Sequence, residues 1–336
     1  MKLDYNTICS FAQGVEYTEI KNDKIVFSRF SREERQSLNY GTDESFTTAG
    51  VRIEFETDSE WIDISTSVEN SNSHGRNFYS FDVYCNGNII GQIKNFDMEP
   101  QYPYIEYKLN DENKLFKLPI GLKRICIYFP WSVQGMIREI EIDDSAVVQS
   151  VTKERKIIMY GDSITQGYDA VYPSLSYASR LIDLLNANGI NKGIAGSVFM
   201  PELTKSKTTF SADVIMVAYG TNDWNGSDFE SFKDRCNIFF DNLYHNYPQI
   251  PIVAISPIWR ADSDEKRKFG DFSKVAETIR IITKQYKNIV YINGIDFIPK
   301  NTLYYRDSYL HPNDEGFGFF TNSLIEKINN TFIERV

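Results

Sequence analysis

An apolar run, Ile157-Ile158-Met159-Tyr160, stops at Gly161-Asp162-Ser163, and a helical pattern follows. The run reads as a short interior strand and the tripeptide as a tight turn. A serine there stands over the edge of a sheet, where a nucleophile belongs in an open α/β fold. An ordinary turn serine sits in the same place, so the tripeptide alone leaves both roles open. Further on, NKGIAGS offers Gly193 and Gly196, VAYGTNDW ends a run with Gly220, Asn222 and Asp223, and DSYLHPND sets His311 before Pro312. Pro312 suits the first turn of a helix. Parallel strands bring their C-terminal ends to one edge, where ligands bind. Ser163, Gly196, Asn222 and His311 can meet there although they are far apart in the chain.

The elements that must position them differ between the two halves. Residues 1–150 read as β. Val51, Ile53 and Phe55 alternate onto one face, as do Phe81, Val83 and Cys85, and Asn86-Gly87 then gives a strong hairpin signal. Further turns are expected at Asn22-Asp23, Asn110-Asp111 and Pro119–Gly121. Many short strands with no clear helix predict an all-β sandwich of jelly-roll type. From residue 151 to 336 the rhythm changes. KIIMYG, ADVIMVAYG, IPIVAISP and NIVYING are continuous apolar runs, and helical patterns lie near 175–188, 227–246, 265–286 and 313–330. In the first of these, Tyr177, Leu181, Leu184 and Leu185 share a face, and Gly189 is expected to close the helix. Apolar strands alternating with helices predict a three-layer, flavodoxin-like parallel sheet covered on both faces.

The blocks GDSITQG, GIAGS, GTND and DSYLHPND resemble, in order, the four sequence blocks of the SGNH (GDSL-type) hydrolases. The β-rich half followed by this domain is similar in layout to two-domain acetylxylan esterases and related carbohydrate esterases. The resemblance implies an ester hydrolase in which Ser163 attacks the carbonyl and His311 is the general base. It implies an oxyanion hole made of the N–H groups of Ser163 and Gly196 and the side-chain amide of Asn222. These types fit ester chemistry, which needs a nucleophile, a base and donors for the developing oxyanion. A glycine at 196 admits close backbone approach. The Asn222 amide is a donor that does not titrate. The orienting aspartate of the pattern stands three residues before the histidine, but position 308 is serine here. Asp307, one residue farther away, takes the role. The alternatives are help from Asp314, or a dyad in which a backbone carbonyl orients His311.

The remaining signals are plainer. His74 lies in a polar loop and His245 at a helix end, which leaves His311 as the histidine with a chemical context. Asp162 reads as a turn carboxylate and Asp223 as support for the Asn222 loop. Trp224, Trp259 and Arg260 are expected around the substrate pocket. Trp61, Tyr79, Tyr84 and Trp131 read as core aromatics before a sugar platform. Net charge is −10, which argues against a nucleic-acid surface. No apolar run is long enough to span a bilayer. The N-terminal stretch has no long apolar segment, which points to the cytoplasm, with secretion as the alternative. The four cysteines are scattered, and no metal or nucleotide motif is seen, so neither metal nor cofactor is expected. The expected partner is an acylated small molecule or glycan, and the expected reaction is removal of a small acyl group, acetyl foremost. The competing readings are a lipase, thioesterase or acyltransferase on another substrate, and a carbohydrate-binding protein with a decayed site.

Overall fold

The computed structural model describes residues 1–71 and 73–332, the last four of these by backbone alone. The first half holds the strands β1 (Ala12–Gln13), β2 (Tyr17–Lys21), β3 (Lys24–Ser28), β4 (Arg52–Thr57), β5 (Trp61–Asn70), β6 (Ser80–Cys85), β7 (Asn88–Lys94), β8 (Glu112–Lys117), β9 (Lys123–Tyr128), β10 (Val133–Ile142) and β11 (Val148–Ser150). They form two antiparallel sheets. One has the order β1-β4-β9-β6-β7 with β11 added to β4, and the other β2-β3-β10-β5-β8. Ile53, Phe55, Phe81 and Val83 from the first sheet meet Ile25, Phe27, Ile62 and Ile64 from the second in one core. The alternation in the sequence is therefore the inward face of a β-sandwich. Asn86 and Gly87 join β6 to β7 at φ 49 and 77, and Asn22 and Asp23 join β2 to β3 at φ 51 and 57. Two successive positive φ values are what a two-residue hairpin with matched twist requires. Two short helices correct the expectation of an all-strand half: α1 (Tyr5–Ser10) and α2 (Arg32–Ser37). Each has a side-chain N-cap that outweighs the weak helical pattern: Asp4 accepts from Thr7, and Ser31 and Glu34 form a capping box.

The second half is a five-stranded parallel sheet with helices packed on it. Its strands are β12 (Arg155–Gly161), β13 (Ala187–Gly193), β14 (Val214–Ala218), β15 (Ile252–Ile255) and β16 (Ile289–Ile292), in the order β13-β12-β14-β15-β16. The helices are α3 (Ser163–Gln166), α4 (Tyr177–Leu184), α5 (Thr221–Gly226), α6 (Phe229–Asn246), α7 (Ser273–Thr283) and α8 (Asp314–Phe332). Separate apolar clusters cover the two faces: one includes Leu181, Phe317 and Leu324, the other Phe239, Leu243 and Val275. No described helix is long and apolar enough to cross a membrane.

The strand β13 is the main departure from the sequence reading. The helix before it ends at Leu184, Asn186 turns the chain at φ 46, and Gly189 lies inside a strand. A Cβ on Gly189 would come within 2.5 Å of Ile182, so the glycine lets strand and helix close together. The outer edge of β13 is covered by the sandwich half. Arg52 donates to the Ala187 carbonyl at 2.7 Å, and Arg29 donates to Asn191 and Gly193 at 2.8 and 2.6 Å. The Gly14 N–H donates to the Asn188 side chain at 2.9 Å. Lys192, fully buried, donates to Glu16 at 2.8 Å and to Glu34 at 2.5 Å. Edge groups that would otherwise face solvent are thus satisfied from the other half of the chain.

Candidate active site

The turn after β12 has no room for side chains where glycine stands. A Cβ on Gly161 would collide with Thr165 and lie 2.8 Å from the Ala218 carbonyl. Asp162 caps α3 by accepting from Ile164 N at 3.0 Å, as expected of a turn carboxylate. Burial pushes its carboxyl up to about 7. Ser163 is the first residue of α3, so its N–H has no partner within the helix. Its Oγ lies 2.9 Å from Nε2 of His311.

His311 ends a closed loop. The Arg306 N–H donates to the His311 carbonyl at 2.8 Å, and Tyr305 bridges Pro312. Inside it, Asp307 Oδ2 lies 2.7 Å from Nδ1 of His311, while Oδ1 accepts from the N–H groups of Tyr309, Leu310 and His311 at 2.9, 2.8 and 3.1 Å. Burial opposes the Asp307 charge, but the hydrogen bond and charge of His311 and these N–H groups hold its carboxyl down to about 2. Ser308 stands at φ 57, and this left-handed residue accommodates the extra position between aspartate and histidine. Asp314 is turned elsewhere: it accepts from Val171 N at 2.9 Å, and burial pushes it up to about 6.

Gly196 has φ 72, and a Cβ there would collide with the hydroxyl of Tyr40, an exposed residue of the sandwich half. Asn222 Nδ2 donates to the Ser197 carbonyl at 2.9 Å, which ties the Gly196 turn to α5. An amide carries a second N–H that this bond does not use. Asp223 supports the same corner by accepting from Phe199 N at 3.2 Å and from Arg235 at 3.0 Å. The sequence reading missed Gln166. It accepts from Ala195 N at 2.8 Å and donates to the Trp131 carbonyl at 3.1 Å, linking the Gly196 turn to the sandwich.

Two of the three expected pocket residues, Trp224 and Arg260, are buried within the fold. Trp224 is 1% exposed, donates to the Gly270 carbonyl at 2.9 Å and lies under Arg267, so it is core. The helix α5 turns its ring inward. Arg260 is 2% exposed. It pairs with Asp262 and bonds the Thr221 carbonyl and hydroxyl at 3.1 and 3.0 Å and the Tyr309 hydroxyl. It is a tie between the Asn222 helix and the His311 loop, not a wall. Trp259 is half-buried and lines a cavity of about 640 Å³ with Pro257, Phe272 and Asn293; its described lining includes neither Ser163 nor His311.

Another residue without a sequence signal is Asp169. Its carboxylate is fully buried, 3.7 Å from Nδ1 of His311 and 2.9 Å from Nε of Arg76. Among the described residues, Asp169, Asp307 and His311 form the cluster whose atoms could reach one metal ion. Those atoms are already engaged by one another and by Arg76.

Residues 159–318 match the model of the GDSL-like Lipase/Acylhydrolase family. The whole two-part architecture is found in solved structures. A salicylyl-acyltransferase from a tetracycline biosynthetic pathway is 20% identical with a TM-score of 0.81, covering 95% of this chain and 94% of that one. A family two carbohydrate esterase from Cellvibrio japonicus is 17% identical with a TM-score of 0.66, covering 96% of each chain. An acetyl xylan esterase from Butyrivibrio proteoclasticus is 14% identical with a TM-score of 0.66, covering 98% of each. No curated protein matches in sequence. The fold is that of an SGNH hydrolase preceded by a β-sandwich.

Proposed function

We propose that the chain is a serine esterase that removes a small acyl group, acetyl foremost, from a carbohydrate. The observation that carries the reading is the line Ser163 Oγ, His311, Asp307, with contacts of 2.9 and 2.7 Å. In this reading His311 takes the proton of Ser163 as Oγ attacks the ester carbonyl. The N–H groups of Ser163 and Gly196 and the free N–H of the Asn222 amide receive the oxyanion. His311 then protonates the leaving alcohol, and water activated by the same ring releases the acid. Asp307 holds Nδ1 and balances the imidazolium. Two proteins of the same fold act as carbohydrate esterases, one of them on acetyl xylan, and this supports the substrate class.

The test is acid release from aryl esters of increasing acyl length by wild type and Ser163→Ala. Turnover that is lost in the variant and falls steeply beyond propionyl is expected. Equal turnover by both proteins refutes the nucleophile, and a preference for long chains refutes the small-acyl reading. A second reading, acyl transfer to an alcohol, draws support from the likeness to the salicylyl-acyltransferase. It requires that an added alcohol or sugar acceptor divert most of the acyl group from water.

A further inference from the structure

We propose that Asp169 and Arg76 form a charge pair that sets the protonation range of His311, so that the sandwich half tunes the base of the hydrolase half. The proposal rests on the hydrolase reading above and assigns both as positioning residues.

Asp169 follows α3 and is fully buried at φ 69, a backbone region uncommon for residues other than glycine. Such strain persists where the surroundings over-determine it. Here they do. Asp169 Oδ2 lies 3.7 Å from the same Nδ1 that Asp307 holds at 2.7 Å. Arg76, from the loop between β5 and β6, donates Nε to Oδ1 at 2.9 Å and Nη2 to Oδ2 at 3.3 Å. The Arg76 guanidinium stands 5.1 Å from the centre of the Tyr168 ring, and that ring stands 5.5 Å from His311. Tyr168 thus fills the space between cation and base.

The other groups near the ring are fixed by their own elements. Asp307 comes from the loop that bears His311, Asp162 caps α3, and Ser163 meets Nε2. Tyr104 lies under Arg76 and interacts electrostatically with Asp169 and Arg306. Around Nδ1 the charges of Asp307 and Asp169 are negative and that of Arg76 positive, which leaves one net negative charge. A buried pair that only held the fold would be costly to desolvate, and an apolar pair would serve as well. This pair instead governs how far the imidazolium is favoured over the neutral ring that acts as base.

The two single variants should therefore act in opposite directions. Asp169→Asn leaves no net charge, and the acid limb of kcat/KM should move to lower pH by about one unit. Arg76→Met leaves two negative charges, and the limb should move to higher pH by about as much. The double variant should return close to wild type, and Arg76→Lys should titrate as wild type does. The chain has only three histidines, so an NMR titration of histidine-labelled protein reads the His311 ring directly, with His245 as the distant reference. Shifts of the same sign in both single variants, or none in either with the fold retained by circular dichroism, overturn the proposal. So does a shift in Arg76→Lys as large as in Arg76→Met. Should Arg76→Met fail to fold, the near-isosteric Asp169→Asn decides by itself. Absence of esterase turnover in wild type would refute the hydrolase reading, while the ring titration would still test the pair independently.

Discussion

Asp307 stands four positions before His311, and its Oδ2 lies 2.7 Å from the histidine Nδ1 because Ser308 between them adopts φ 57. The extra residue is absorbed by one left-handed turn. Asp307→Ala should lower kcat by roughly 1,000- to 10,000-fold, the cost of losing an orienting aspartate. Asp314→Ala should leave kcat within a few-fold, since Asp314 faces Val171. Ser308→Gly should be tolerated and Ser308→Val should not, because a branched side chain resists that φ. Steady-state kinetics of the four variants check this, and a larger loss in Asp314→Ala than in Asp307→Ala would reverse the assignment.

Asn222 has one N–H committed to the Ser197 carbonyl, and its role as oxyanion donor requires the other. Asn222→Ala should reduce kcat by about 100- to 1,000-fold with a much smaller change in KM. Gly196→Ala should also lose activity, since its Cβ meets the Tyr40 hydroxyl and its φ is 72. Removing the clash with Tyr40→Ala should recover little of that loss, because the backbone strain remains.

Arg260 ties Thr221, beside Asn222, to Tyr309 in the loop that bears His311. Arg260→Met leaves these buried polar groups without their donor and should cost roughly 3 kcal/mol of stability. The denaturant midpoint measures this. Activity measured well below the midpoint should fall mainly in kcat, as the two corners of the site lose their register.

Acidity should act on stability in two separate windows. Burial raises the carboxyl of Asp162 to about 7, and those of Asp223 and Asp314 to about 6, against an ordinary value of 3.8. The folded protein then holds more protons than the unfolded chain between these values. The stability they contribute is full below pH 3.8 and is lost as the pH rises towards 7. Asp307, held at about 2, has the opposite sign: its contribution is present above pH 3.8 and lost as the pH falls through 2. Urea midpoints from pH 4 to 8 should decline in wild type and decline less in Asp162→Asn. An equal slope in both would remove Asp162 from this balance.

The sequence exposed what is local and hid what is distant. Ser163, Gly196, Asn222 and His311 each lie in a short block whose turn chemistry can be read in place. The strand β13 was hidden because Asn188, Gly189, Asn191 and Lys192 lack the apolar character of its neighbours. Its polar side chains find partners of their own: Asn191 donates to the Thr165 carbonyl, and Lys192 to Glu16 and Glu34. Trp224 stands beside Asn222 in the chain, which suggests a pocket wall, but α5 turns its ring under Arg267. Asp169 gave no signal because its partners, Arg76 and His311, come from opposite halves of the chain.

The sheathed edge of β13 has a consequence for how the molecule can be divided. Cleaving the chain between β11 and β12 and discarding the first part would strip three carbonyls and the Lys192 ammonium of their donors and acceptors. What remained would carry a bare strand edge, a template on which another such fragment could add. The sandwich is thus a built-in chaperone for the hydrolase sheet. A fragment made without it should assemble into aggregates rather than stay a smaller enzyme.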